Sequence, residues 1–190
     1  MSRLLFCTEV SELIASFKPE MKMSKVSVKV RMYRQGLGDC FLLTFTEGEK
    51  TCQLLIDCGV IQGTKDADEK MTNLARSIGE ITDNRIDVVA VTHEHWDHVS
   101  GFIQAKDVFD EIEFGEVWAG WTENLSDPLA VELQNRKELK LRALQAAIGR
   151  MQSKRLAPLR EAIVSLLDFS GGEEMLAAGG NTTNKAWRYV

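Results

Sequence analysis

The chain has 190 residues, 44% hydrophobic and 27% charged, enough for one folded core and outside the compositions of disordered or fibrous proteins. Its net charge of −5 gives no overall attraction to nucleic acid. No apolar stretch approaches the roughly 20 residues of a membrane-spanning helix. The apolar run after Arg3 is cut short by Glu9 and Glu12, so no secretory leader of ordinary form is expected there.

In chain order, residues 4–17 carry Val10, Leu13, Ile14 and Phe17 at helical spacing, and Pro19 ends that run. Residues 1–24 are therefore expected to be a helical extension, with Met1, Met21 and Met23 all open as starts. From residue 25 a single larger unit is expected to run to residue 190. Val26, Val28, Val30 and Met32 alternate with Lys25, Ser27, Lys29 and Arg31, the pattern of an edge or half-exposed strand. Residues 41–46 and 51–56 read as the next strand pair, turned at Gly48. Met71, Leu74, Ala75 and Ile78 predict a helix over 65–80. Residues 86–91 form a short run rich in β-branched residues, the pattern of a buried parallel strand. A short helix over 99–105 and a strand over 116–119 follow. Residues 128–168 predict two helices broken near Pro158, with Gly171 and Gly172 stopping the second. The alternation over 185–190 reads as the start of another strand.

All three histidines of the chain fall in one six-residue window, His93-Glu94-His95-Trp96-Asp97-His98, just past the 86–91 strand. Histidine is the commonest transition-metal ligand, and imidazoles with a carboxylate suit zinc, or iron or manganese. Ligand sites of open α/β sheets lie at the carboxyl ends of strands. In extended chain, His93 and His95 share one side, while Glu94 and Trp96 face away. Asp97 and His98 fall where the chain turns into a helix, so they can address a second ion. A helix N-terminus also favours an ionised Asp97.

This His-x-His-x-Asp-His run resembles the signature of the metallo-β-lactamase superfamily. Gly36-Leu37-Gly38-Asp39-Cys40-Phe41-Leu42-Leu43 resembles that superfamily's first hairpin, and Leu54-Leu55-Ile56-Asp57-Cys58-Gly59 its Asp-x-Gly corner. The pieces are most similar to the branch containing the hydrolase domains of bacterial DNA-uptake channels. Together they span about residues 26–106, in the family's order. The resemblance implies an α/β fold, the first half of an αββα sandwich, with a helical insertion at about 126–170. It implies a metal-dependent hydrolase with two ions, zinc above all: His93 and His95 for the first, Asp97 and His98 for the second. Asp97 is also the implied handler of the attacking water's proton, and Asp57 the residue that holds the motif loop by hydrogen bonds.

The family's pattern includes two later histidines, and this chain has none after His98. A catalytic zinc normally takes three protein ligands and a water. The expectation is an N-terminal part of a longer hydrolase, inactive alone and poorly soluble because a half-sandwich exposes a core face. Completion by a second copy, or by Cys58 as an added ligand, stays open beside it; a buried, packing Cys58 is the plainer reading.

Cys7, Cys40, Cys52 and Cys58 show no C-x-x-C spacing, so buried thiols in a reduced, cytoplasmic setting are expected. Between Arg136 and Arg160 there are eight basic residues and one acid, Glu138, a local excess of +7 against −12 elsewhere. That stretch can guide a polyanion, line an oligomer contact, or simply be a solvated helix face. Trp96, Trp118 and Trp121 flank the expected mouth, for substrate stacking or for packing. The substrate is left between a nucleic acid or other phosphodiester and a small ester-type molecule. A different class of function, a non-catalytic binding module on a degenerate fold, also stays open, and metal content separates the two.

Overall fold

The computed structural model describes residues 25–169 and 186–190. The expected helix at 4–17 and the glycine stop at 171–172 lie outside the described residues. Six strands form one sheet in sequence order: β1 (Ser27–Met32), β2 (Phe41–Glu47), β3 (Lys50–Ile56), β4 (Arg85–Val91), β5 (Glu113–Ala119) and β6 (Ala186–Tyr189). The first three pair antiparallel, β2 and β3 through a tight turn at Gly48; β3 to β6 run parallel. The parallel connections carry helices α1 (Ala67–Thr82), α2 (Trp96–Gln104) and α3 (Lys106–Phe109), then α4 (Pro128–Arg150) and α5 (Ala157–Phe169). This is a mixed α/β architecture consistent with part of a metallo-β-lactamase fold.

The core lies between the central strands and α1 to α3. Leu42, Leu55, Val89 and Val117 stand in one register row across β2 to β5 and are all buried. Met71, Leu74, Ala75 and Ile78 of α1 close over this side, joined by Ala105, Phe109 and Ile112. Residues 86–89 of β4 are buried consecutively, as a strand hydrogen-bonded on both edges requires. β1 is different. All six of its residues are exposed, with Val30 at 61% and Met32 at 66%, so the alternation read from sequence marks an edge strand with neither face fully covered.

Element boundaries moved where tertiary context outweighed local pattern. The break in the basic helical stretch falls at residues 151–153, and α5 opens at Ala157 with Pro158 in its first turn. Proline fits there because the first N–H groups of a helix have no intrahelical partner to lose. Helix α4 begins at Pro128, capped by Asp127, whose carboxylate accepts from the Leu129 and Ala130 amides. Cys40 and Cys58 are free and buried, as expected. Cys52, also buried, is disulfide-bonded rather than a free thiol.

Candidate metal centre

Strand β4 delivers the motif. After Val91 the chain runs irregularly through residues 92–95 and enters α2 at Trp96. His95 occupies the N-cap position in extended conformation (φ −64°, ψ 144°), and its side chain makes no capping bond. Its ring is turned to His93 instead, with His95 Nδ1 3.0 Å from His93 Nε2. Asp97 and His98 sit in the first turn of α2. His98 brings its ring to 3.9 Å from that of His93, centroid to centroid. Thus the Asp97–His98 pair lies beside the His93–His95 pair.

The two other sequence pieces clamp this loop from behind. Asp39 N–H donates to the Asp97 carbonyl (3.1 Å), Cys58 N–H to that of His98 (2.7 Å), and Gly101 N–H to that of Cys58 (2.8 Å). Gly59 must be glycine because an added Cβ would stand 2.5 Å from the Asp97 carbonyl carbon and oxygen. Gly38 (φ +139°) is equally hemmed in, by the carbonyls of Gly59 and Asp97. The buried Gln35 side chain donates to the carbonyls of Gly38 and Gly59, tying hairpin to corner. Ser100 adds a reciprocal pair with the Val60 amide and carbonyl.

Asp57 sits at the centre of the clamp. It is 2% exposed and adopts φ +53°, an unusual left-handed backbone for a non-glycine residue. Its Oδ1 accepts from the Thr92 amide (2.8 Å), and its Oδ2 from the Thr92 hydroxyl (2.6 Å) and His98 Nδ1 (2.9 Å). With Nδ1 so engaged, His98 turns Nε2 toward Asp97 Oδ2, 3.7 Å away. A neutral His98 in that tautomer opposes a lone pair to a carboxylate, an arrangement that a cation between them would relieve. The other Asp97 oxygen, Oδ1, is buried and has no hydrogen-bond partner, which native structures rarely tolerate without an ion or water. The pKa of His93 is lowered, first by partial burial and then by His98 and His95, which favours the neutral, ligating form. Two imidazole nitrogens on a tetrahedral zinc, each at about 2.0–2.1 Å, stand about 3.4 Å apart. The 3.0 Å between His93 Nε2 and His95 Nδ1 lies within a few tenths of that. The residues present therefore fit a divalent cation.

Asp39 was not singled out from the sequence. Asp39, Asp57 and His98 offer ligand atoms all within 4.8 Å of one another, a candidate metal-binding group. Asp39 is half exposed, with Oδ2 3.6 Å from His98 Nδ1. Its place after the Gly-x-Gly turn of the hairpin was the available signal. Within the trio, Asp57 already accepts three hydrogen bonds and Nδ1 of His98 is committed to it, which suits these groups better to orienting than to ligation.

Cys58 is fully buried, packed where α2 crosses at Gly101, and burial pushes its thiol well above its ordinary pKa. That is the packing role, not the ligand role. Glu94 pairs with Lys137 of α4, so the basic helix is moored beside the motif. Burial lowers the pKa of Lys137. Arg136 and Arg142 pair within α4 to Glu132 and Glu138; Lys140, Arg150, Lys154, Arg155 and Arg160 are exposed. Trp118 is held by its Nε1 bond to Glu116 and lies under the Arg188 guanidinium, 5.8 Å from its centroid. Trp121 is 44% exposed.

No helix among the described residues is long and apolar enough to cross a membrane. No curated protein matches the chain. Comparison with protein families matches residues 33–145 to the metallo-beta-lactamase superfamily, a span covering the hairpin, the Asp-x-Gly corner and the histidine motif. The chain belongs to the metallo-beta-lactamase superfamily.

Proposed function

We propose that this protein is a metal-dependent hydrolase in which His93 and His95 hold one zinc ion and Asp97 and His98 a second, with iron or manganese as alternatives. The observation that carries this reading is the buried, unpartnered Asp97 Oδ1 within a loop that gathers three imidazoles. Bound divalent cations would supply Lewis acidity and lower the pKa of water. The chain's own residues do the rest. Asp97, at the start of α2, accepts the proton of the attacking water. Asp57 keeps His98 oriented, and the hairpin and corner fix the loop's backbone. Two protein ligands per ion are fewer than a catalytic zinc usually takes, so turnover requires ligands beyond these four.

The substrate carries a phosphodiester or an ester-type bond. The exposed cations of residues 136–160, moored beside the motif through Lys137 and Glu94, favour the phosphodiester. The helical pair is an insertion in the catalytic unit. A non-catalytic binding protein is the second reading, favoured by the count of only three histidines. Elemental analysis of the purified chain decides between them. Bound zinc that is lost in His95→Ala and in Asp97→Ala is expected, and phosphodiester cleavage should exceed ester cleavage once activity is seen. A chain that binds no divalent metal overturns the hydrolase reading.

A further inference from the structure

Thr92 stands immediately before the motif and belongs to no family ligand set, yet it is the hinge of the hydrogen-bond network. Its hydroxyl lies 2.6 Å from Asp57 Oδ2 and 3.0 Å from His93 Nδ1. A hydroxyl has one proton, and an ionised carboxylate only accepts. The Thr92 proton therefore goes to Asp57, and the Thr92 oxygen is left to accept. His93 must then carry its proton on Nδ1 and present the bare Nε2 toward His95. The same Asp57 oxygen accepts from His98 Nδ1, so in the neutral ring Nε2 of His98 is bare as well. These tautomers follow from the hydrogen-bond network, which is how ring protonation is assigned.

We propose that Thr92 is a positioning residue that relays the Asp57 carboxylate to His93, so that one buried carboxylate sets the tautomer of two candidate ligands at once. His98 is held directly and His93 through the hydroxyl. The inference rests on the reading of His93 and His98 as metal ligands, but the relay itself exists without metal. Asp57 is bent into left-handed backbone at φ +53°. That conformation is sustained by its surroundings. In the relay it lets one side chain reach the Thr92 amide, the Thr92 hydroxyl and His98 together. The Thr92 amide bond to Asp57 Oδ1 does not need the hydroxyl, so replacing Thr92 by Val removes the relay while keeping the backbone anchor and the β-branched shape.

With only three histidines in the chain, nitrogen NMR of histidine-labelled, metal-free protein resolves each ring's tautomer. The wild type is expected to show His93 and His98 both protonated at Nδ1. Thr92→Val should redistribute His93 between tautomers and leave His98 unchanged; Thr92→Ser should restore the wild-type pattern. Asp57→Asn should disturb both rings. Zinc affinity, measured by competition with a chelator, should fall about 10–100-fold in Thr92→Val and stay within about threefold of wild type in Thr92→Ser. An unchanged His93 tautomer in folded Thr92→Val overturns the relay, as does a failure of Thr92→Ser to restore it. Should Thr92→Val not fold, Thr92→Ala gives the same reading of His93. A wild type with the predicted tautomers but no zinc affinity overturns the metal reading instead, so the two failures are distinct.

Discussion

One methyl group at Gly59 tests the whole clamp. An added Cβ would sit 2.5 Å from the carbonyl carbon and oxygen of Asp97 and 2.7 Å from the His98 amide nitrogen. All are backbone atoms, so no side chain can swing aside. Reaching the ordinary contact distance of 3.4 Å from 2.5 Å moves the motif loop by about 0.9 Å. Overpacking of this kind costs about 1–3 kcal/mol. The shift also strains the neighbouring Cys58 amide bond to the His98 carbonyl, and losing one buried hydrogen bond adds about 1–3 kcal/mol. Gly59→Ala should therefore lose about 2–6 kcal/mol in chemical denaturation, seen as a melting point lower by about 4–24 °C for a chain of this size. Because metal ligands tolerate displacements of only about 0.2 Å, zinc affinity should fall at least about tenfold. Gly149→Ala is the control. It adds the same methyl inside α4 where nothing lies within 4 Å, and should stabilise by up to about 1 kcal/mol through helix propensity. A Gly59→Ala chain with wild-type stability and zinc affinity would refute the clamp.

Two further outcomes follow from features away from the motif. The pKa of Tyr33 is raised from 10.0 to about 12, chiefly by burial and then by Cys40. The unfolded chain loses that proton near pH 10 while the folded chain keeps it, so stability contributed by neutral Tyr33 is present below pH 10 and lost between pH 10 and 12. Tyr33→Phe should flatten that alkaline decline in urea midpoints, and an unchanged slope would contradict it. Val30→Lys with Met32→Lys, on the edge strand at 61% and 66% exposure, should reduce self-association in sedimentation while shifting stability by no more than about 0.5 kcal/mol per site. Equal association in the double variant would show that β1 is not the sticky surface.

Local pattern carried far in this chain because its strands are short and strongly coded. The alternation at 26–32, the apolar run at 86–91 and the glycines at 36, 38 and 59 each report a backbone environment that few other residues fit. The His-x-His-x-Asp-His spacing was read as two pairs, and the structure sets the rings of His93, His95 and His98 side by side. Boundaries were less legible. Pro158 reads as a breaker in isolation, yet it lies in the first turn of α5, because the actual break is decided by where α4 and α5 fold against each other.

What the sequence determined by itself was the fold class and the presence of the histidine motif just past a strand, both of which depend on short-range order. The resemblance named Asp57 as the holder of the motif loop; only the tertiary structure decided through which bonds it and its neighbours hold that loop. Asp57 lies 35 positions from Thr92 and 41 from His98, and Glu94 meets Lys137 across α2, α3 and β5. Nothing in local spacing encodes such contacts; they exist because parallel β3 and β4 set Ile56 beside Ala90, which brings the corner after one strand against the loop after the next. The same register leaves Asp97 Oδ1 buried and unpaired. A histidine-rich string thereby becomes an oriented set of donors.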